Sequence, residues 1–132
     1  MPEETTRASK PKPRILCTED DADTLEVLRL LLELNGFEVS CAKDSAEALS
    51  LARAEKFDLY LLDNWLPEGP GDVLCRKLRE LDSTTPVLFY SGAATDADKA
   101  RAMACGAQGY IVKPADPDAL ISEIRRLLHP KN

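Results

Sequence analysis

Short apolar runs alternate along this chain with longer segments in which apolar residues recur at helical spacing. Five runs of strand length follow Pro13, at residues 15–17, 39–42, 59–62, 87–90 and 110–112. The third and fourth runs are apolar at nearly every position, which is typical of strands buried on both faces. Strand and helix alternating five times predict an α/β fold, in which helices cover both faces of a parallel sheet. Right-handed crossovers make this a doubly wound sandwich.

Residues that favour helix ends stand at the boundaries between these segments. Asn35 and Gly36 suit a helix C-terminus, because glycine accepts the left-handed backbone conformation. Thr95 can cap the N-terminus of an alanine-rich helix. Asp116 precedes Pro117, which places a capping carboxylate before a proline at the first helical position. These signals predict where three of the helices begin or end.

Length and composition predict a single domain with short tails. The chain has 132 residues and a net charge of −6, which disfavours direct nucleic-acid binding because phosphate contacts need concentrated Lys and Arg. No apolar run approaches the roughly 20 residues that span a bilayer, so no membrane association and a cytoplasmic location are expected. Residues 1–13 are polar and proline-rich and are predicted to be a disordered tail. The domain is predicted at 14–129, with a C-terminal tail at 130–132.

Four cysteines, Cys17, Cys41, Cys75 and Cys105, are widely spaced along the chain. Their spacing lacks the paired knuckles of a zinc site. We expect them to be reduced and to act as small core residues.

Polar side chains follow four of the five predicted strands. Glu19 and Asp20 come after the first strand, Asp63 after the third, Ser91 after the fourth and Lys113 after the fifth. In an open α/β sheet, ligands bind beyond the carboxyl ends of the strands. The sequence therefore predicts a site at this edge with three carboxylates, one hydroxyl and one ammonium.

The chemistry of this set points to a metal-assisted phosphoryl acceptor. Crowded carboxylates repel one another, and a hard cation such as Mg²⁺, or alternatively Mn²⁺, relieves that repulsion. An aspartate beside the metal can attack phosphorus to form an acyl phosphate. Lys113 and Ser91 would then neutralise the equatorial oxygens. Asp21 is interpreted as a first-turn residue favoured by the helix dipole.

Four segments of the chain resemble bacterial response-regulator receiver domains of the CheY-like type, which serve two-component phosphorelay signalling. They are ILCTEDD (15–21), DLYLLDNWLPEGPG (58–71), VLFYSG (87–92) and GAQGYIVKP (106–114). The resemblance covers nearly all of 14–129. It implies a flavodoxin-like, three-layer sandwich with five parallel strands in the order 2-1-3-4-5.

The resemblance also implies roles for the predicted site residues. Asp63 would be the phosphorylated residue. Asp20 would hold Mg²⁺ directly, Glu19 would act mainly through a metal-bound water, and the backbone carbonyl of Trp65 would be the third protein ligand. The large side chain of Trp65 would overhang the acceptor.

Further roles in the resemblance concern the phosphoryl-binding and switch residues. Ser91 would hydrogen-bond the phosphoryl group and Lys113 would pair with it. The Lys113–Pro114 peptide bond would be cis. Tyr110 occupies the aromatic switch position and would swing inward when Ser91 moves toward the phosphate.

The resemblance further implies a signalling module rather than an enzyme, apart from its own phosphorylation and dephosphorylation. A histidine kinase or a phosphotransfer protein would be the phosphodonor. The readout would be the surface of the fourth helix, fifth strand and fifth helix. Because no segment follows the fifth helix, a stand-alone domain that signals to a separate protein target is expected.

Two other functions stay open on the sequence. One is a Mg²⁺-dependent phosphatase or phosphotransferase with an aspartyl-phosphate intermediate, although Trp65 stands where such an enzyme needs a second aspartate, its general acid. The other is a degenerate receiver that acts only as a binding scaffold, against which the complete set of acidic residues, hydroxyl and lysine argues.

The first predicted helix is apolar over more than half of its circumference, whereas a surface helix ordinarily shows one stripe. Two interpretations stay open, a wide core face or a docking face for a kinase or a second copy. The residues are Leu25, Val27, Leu28, Leu30, Leu31, Leu32 and Leu34.

Overall fold

The structure of the protein is a computed structural model that describes residues 11–129. The predicted disordered tail at 1–13 therefore lies outside the described residues, apart from 11–13. The predicted C-terminal tail at 130–132 lies outside them entirely. No helix among the described residues is long and apolar enough to cross a membrane.

Within residues 11–129, five strands form the main sheet and each is followed by a helix. The strands are β1 (Arg14–Thr18), β2 (Glu38–Ala42), β3 (Leu59–Leu62), β4 (Val87–Ser91) and β5 (Gly109–Val112). The helices are α1 (Ala22–Leu34), α2 (Ser45–Ala54), α3 (Gly71–Leu81), α4 (Asp96–Ala104) and α5 (Pro117–Leu128). A short antiparallel hairpin between β3 and α3, which the sequence did not predict, pairs Trp65–Leu66 with Gly69–Pro70.

The main sheet is parallel throughout and has the order β2-β1-β3-β4-β5. Alternate strand residues face opposite layers, so the sheet has a separate apolar core on each side. Helices α1 and α5 cover one side through Leu28, Leu32, Leu120, Ile121 and Ile124. Helices α2, α3 and α4 cover the other through Ala48, Leu49, Leu74, Leu78 and Ala102. This confirms the doubly wound α/β fold and the strand order.

The predicted helix ends are confirmed. Asn35 caps the C-terminus of α1, and Gly36 follows with φ +91°, a conformation that glycine accepts readily. Thr95 caps α4 in a reciprocal capping box with Asp98. Asp116 caps α5 ahead of its first residue, Pro117.

The leucine-rich helix α1 buries only part of its apolar surface. Leu28 and Leu32 lie in the core, whereas Val27, Leu30 and Leu34 are exposed by 63%, 48% and 85%. The exposed three are spaced at three and four residues and lie along one side of the helix. The wide-core interpretation therefore fails for these three residues, and they form an apolar solvent-facing stripe.

The four cysteines are free, and Cys17, Cys75 and Cys105 are buried while Cys41 is partly buried. Burial raises the pKa of the Cys17 thiol, which lies within β1. Their expected role as small core residues therefore agrees with the structure for the three buried thiols.

Polar contacts tie the C-terminal end of α3 to the edge of the sheet opposite the predicted site. The guanidinium of Arg79 donates to the carbonyl of Gly106 at 2.7 Å and to the side-chain oxygen of Gln108 at 2.7 Å. That same Gln108 oxygen accepts from the backbone amide of Val87 at 2.7 Å. Arg79 also donates to the carbonyl of Thr85. One side chain thus joins α3 to the segments that lead into β4 and β5.

Asp82 caps the same end of α3 and accepts hydrogen bonds from both following threonines. Its carboxylate bonds the amides of Thr84 and Thr85, at 3.0 Å and 3.1 Å, and both hydroxyls. Burial raises the pKa of Asp82, but these hydrogen bonds outweigh burial and hold the pKa well below its ordinary value. A carboxyl group whose folded pKa is depressed stabilises the fold above its unfolded pKa and loses that contribution as pH falls.

Replacing Asp82 should therefore lower the unfolding free energy by an amount that depends on pH. We expect Asp82→Asn to lower the unfolding free energy by about 1–2 kcal/mol at neutral pH, since charge-assisted hydrogen bonds are lost. The deficit should shrink below about pH 4, where the wild-type carboxylate begins to protonate in the unfolded chain. Urea denaturation at pH 7 and pH 3 measures both values. Glu80→Gln, an exposed site on the same helix, controls for the charge change, and a deficit equal at both pH values would contradict the prediction.

Candidate functional site

The predicted site residues gather at the carboxyl edge of the sheet because the strand ladder continues one residue past each strand. The backbone amide of Glu19 donates to Ala42 at 3.0 Å, and that of Asp63 donates to Thr18 at 3.1 Å. The amide of Lys113 likewise donates to the carbonyl of Ser91 at 2.9 Å. Each functional side chain therefore leaves the backbone at a position that the parallel register fixes.

Three of the predicted carboxylates meet in one cluster. One carboxylate oxygen from each of Glu19, Asp20 and Asp63 lies within 4.8 Å of the others. Glu19 and Asp63 are only 3% and 6% exposed, whereas Asp20 is exposed. The cluster is thus buried on the protein side and open to solvent on the side of Asp20.

The ammonium of Lys113 faces this cluster, as predicted. Its Nζ lies 2.5 Å from Glu19 Oε1 and 3.7 Å from Asp63 Oδ2. Burial alone would lower the pKa of Lys113, but the hydrogen bond to Glu19 and the charge of Asp63 raise it above its ordinary value. The lysine therefore carries a full positive charge at neutral pH. Nζ also lies 5.3 Å from the centre of the Tyr90 ring, close enough for a cation–π contact.

The donor set fits a hard divalent cation. Three carboxylates face one ammonium, which leaves excess negative charge in a partly buried place. Burial raises the pKa of Glu19, and the neighbouring Asp63 charge acts in the same direction, while the Lys113 hydrogen bond opposes them. Closely spaced carboxylate oxygens with one open side are the arrangement that Mg²⁺ binds while keeping several waters.

Asp21 differs from the position predicted for it. It is the N-cap of α1 rather than a residue of the first turn, and its carboxylate accepts from the amide of Thr24 at 2.9 Å. The hydroxyl and amide of Thr24 lower the pKa of this carboxyl. The third acidic residue of the run therefore serves the helix and lies outside the carboxylate cluster.

Ser91 and Tyr110 lie on neighbouring strands beside the cluster. Ser91 is fully buried, and its hydroxyl accepts from the amide of Ala93 at 3.2 Å. Tyr110 stacks on Phe89 with ring centres 5.6 Å apart, and its hydroxyl donates to the carbonyl of Ala93 at 2.5 Å. Tyr110 thus already points inward, toward the loop that follows Ser91, and its switching role stays a prediction.

Trp65 lies in the hairpin that follows β3. Its backbone amide donates to Asp63 Oδ1 at 3.3 Å, and its side chain is 58% exposed. The role of the Trp65 backbone carbonyl as a metal ligand stays a prediction. The Lys113–Pro114 peptide bond is cis, as the family resemblance implies.

Two residues next to Asp63 were not identified from the sequence. Asn64 is 3% exposed, although an asparagine after a strand ordinarily indicates a solvated turn. Gly71 packs so closely that an added Cβ would lie 2.5 Å from the carbonyl oxygen of Asp63. The available signal was the glycine itself, since glycine permits close backbone approach.

Comparison with known proteins gives one consistent family. Residues 15–125 match the family model described as the response regulator receiver domain. The transcriptional regulatory protein CseB of Streptomyces coelicolor is 38% identical over 86% of this chain and 48% of its own length. PrrA of Mycobacterium tuberculosis, also a transcriptional regulatory protein, is 36% identical over 88% of this chain and 50% of its length. The chain therefore spans about half the length of these curated relatives.

Solved structures agree with the same family over the whole fold. A receiver domain protein from Methanospirillum hungatei, described as CheY-like, superposes with a TM-score of 0.85 at 32% identity, covering 89% of this chain and 94% of that one. The non-phosphorylated HemR receiver domain of Leptospira biflexa gives a TM-score of 0.84 at 33% identity, covering 92% and 98%.

Proposed function

This chain belongs to the response regulator receiver domain family, and we propose that it accepts a phosphoryl group on Asp63 in a Mg²⁺-dependent reaction. The observation that carries the proposal is the juxtaposition of three carboxylates and one ammonium at the carboxyl edge of the sheet. A histidine kinase or a phosphotransfer protein is the proposed donor, because the chain matches the receiver family of two-component signalling.

In this proposal Asp63 is the nucleophile. A carboxylate oxygen of Asp63 forms a bond to phosphorus while the bond from phosphorus to the donor breaks, and the donor leaves with that electron pair. Both bonds lie in line, and negative charge spreads over the three equatorial oxygens. The product is an acyl phosphate on Asp63.

Lys113 and Ser91 then hold the charge that the phosphoryl group brings. The Lys113 ammonium is already placed between Glu19 and Asp63, so it can exchange its carboxylate partner for a phosphoryl oxygen with little movement. The Ser91 hydroxyl would donate to another phosphoryl oxygen after rotating away from its present partner, the Ala93 amide. These contacts are stronger in a water-poor site than they would be in solvent.

Glu19, Asp20, Asp63 and the carbonyl of Trp65 would hold the metal. When bound, Mg²⁺ supplies positive charge that offsets the crowded carboxylates and the incoming phosphoryl oxygens. Mn²⁺ suits the same oxygen donors.

The proposed output is a change in the surface formed by α4, β5 and α5. The phosphoryl group adds charge and acceptor oxygens beside the β4–α4 loop, which biases a two-state arrangement of that loop and the adjoining helix. Helix α4 buries only Asp98 and Ala102, so its repositioning disturbs few core contacts. A separate protein target stays a proposal, and direct nucleic-acid binding is not proposed for these residues, although relatives such as CseB are named transcriptional regulators.

The apolar stripe of α1 is the proposed docking place for the phosphodonor. Val27 and Leu30 are exposed on the helix that begins just after Glu19 and Asp20. A partner seated there would reach the open side of the carboxylate cluster.

Incubation with acetyl phosphate and Mg²⁺ tests the proposal. We expect intact-mass spectrometry to show the gain of one phosphoryl group, and peptide mapping after borohydride trapping to place it on Asp63. Omission of the metal with added chelator should abolish the gain. Absence of any labelling would end the proposal, and steady turnover of external phosphate esters would instead support a phosphatase.

A further inference from the structure

The buried side-chain amide of Asn64 contacts two other parts of the chain. Its Oδ1 accepts from the backbone amide of Gly71 at 3.0 Å, and its Nδ2 donates to the hydroxyl of Tyr110 at 3.2 Å. The backbone carbonyl of Asn64 also accepts from the Gly71 amide at 3.0 Å. This side chain follows the acceptor Asp63 directly, and it reaches from the start of α3 to the end strand of the sheet.

The partners fix the direction of every hydrogen bond in this chain of contacts. A backbone N–H can only donate, so Oδ1 of Asn64 must face Gly71 and Nδ2 must face Tyr110. The carbonyl of Ala93 can only accept, so the Tyr110 hydroxyl must donate to it, at 2.5 Å. The hydroxyl oxygen of Tyr110 therefore accepts the hydrogen bond from Asn64. This relay of hydrogen bonds joins the loop that begins at Asp63, here called the acceptor loop, to the β4–α4 loop.

Because the Asn64 side chain is buried, its hydrogen bond to Tyr110 affects the position of the Tyr110 ring. Asn64 is 3% exposed, and Phe89 beneath the Tyr110 ring is fully buried. If Tyr110 swung outward, the Nδ2 group would lose its partner in a place with little access to water, which is costly. Asn64 therefore favours the inward position of Tyr110 before any phosphoryl group is present.

We propose that Asn64 is a positioning residue that couples the acceptor loop to Tyr110 and holds that ring against the β4–α4 loop in the unphosphorylated chain. The regulatory part of this inference rests on the proposed phosphoryl acceptance by Asp63. The positional part does not, because it concerns the chain without a phosphoryl group.

Solution NMR on the full chain tests the positional part. The chain has three tyrosines, which can be isotopically labelled at the ring carbon that carries the hydroxyl, and Tyr110→Phe assigns the Tyr110 signal. In Asn64→Ala, without phosphodonor, we expect only the Tyr110 signal to move toward the position of free tyrosine and to broaden with a soluble gadolinium chelate. Asn35→Ala is the matched control, since Asn35 also donates a hydrogen bond from its Nδ2, in this case to the carbonyl of Leu31.

Asn64→Leu keeps nearly the same volume and guards against a cavity effect in the alanine variant. An unmoved Tyr110 signal in either folded variant would overturn the inference, and so would equal movement in Asn35→Ala.

Phosphoryl labelling tests the regulatory part. We expect Asn64→Ala to slow labelling by acetyl phosphate by about two- to tenfold, the factor that corresponds to one hydrogen bond. In a Tyr110→Phe background the same substitution should have a smaller effect, because the contact with the Tyr110 hydroxyl is already gone and only the contact with the Gly71 amide remains to be lost. Additive effects of the two substitutions would overturn the coupling. If the wild type itself takes no label, the proposed function fails while the NMR result on Tyr110 still stands.

Discussion

Asp63→Asn should take up no phosphoryl group under conditions that fully label the wild type. The amide that replaces the carboxylate is not a nucleophile toward phosphorus, and Asp63 is the carboxylate that the cluster holds beside both Glu19 and the Lys113 ammonium. The fold should persist, because Asn preserves the size of the side chain and retains one oxygen to accept from the Trp65 amide. Intact-mass spectrometry with acetyl phosphate and Mg²⁺ measures the loss.

Asp21→Asn is the matched control for this substitution. It also changes an aspartate to asparagine, at a position two residues from Glu19, but Asp21 caps α1 and asparagine caps helices equally well. We expect normal labelling in that variant. A label that survives Asp63→Asn and maps to Glu19 or Asp20 would show that the nucleophile has been misassigned.

Gly71→Ala is expected to cause the largest loss of stability among single-methyl additions to this chain. The new Cβ would lie 2.5 Å from the Asp63 carbonyl oxygen and 2.9 Å from a ring carbon of Phe89. The Asp63 oxygen belongs to the backbone and cannot rotate away, so overpacking should lower the unfolding free energy by about 3 kcal/mol. Helix propensity works the other way, since alanine is favoured over glycine by about 1 kcal/mol. The destabilisation by overpacking is larger than the gain in helix propensity.

Urea denaturation followed by circular dichroism measures this loss. Gly92→Ala is the control, because an added Cβ there has no atom within 4 Å, and a change within about 0.5 kcal/mol is expected. The displaced Asp63 backbone should also reduce phosphoryl labelling in Gly71→Ala. Similar stabilities for the two variants would contradict the prediction, because they would show that the backbone at Asp63 moves to accommodate the added methyl group.

The sequence predicted the fold because its signals agree at several levels. Apolar runs located the strands, and punctuation such as Thr95 and Asp116 located helix starts that the structure confirms. The candidate site was also predictable in outline. Glu19, Asp63 and Lys113 each follow a strand, and parallel strands bring such positions to one edge.

The sequence could not show the features of the site that depend on the orientation of individual side chains. Asn64 was not singled out from the sequence, because nothing in its neighbours indicates a tyrosine hydroxyl 46 positions later in the chain. The sequence assigned Asp21 to the first turn of a helix rather than to the site, but only the helix geometry shows that it is the N-cap. The sequence showed that α1 has more apolar residues than one stripe needs, but not which of them are exposed, because Leu30 and Leu32 are the same residue type in opposite environments.

The placement of Trp65 gives the protein a built-in optical reporter. It is the sole tryptophan among the 132 residues, its indole is 58% exposed, and its own amide bonds the Asp63 carboxylate. Emission excited at the red edge of the indole band therefore comes from one position two residues after Asp63, without any dye. If Asp63 accepts a phosphoryl group as proposed, we expect that emission to respond to the added charge in real time, and dissolved iodide can probe how exposed the indole is.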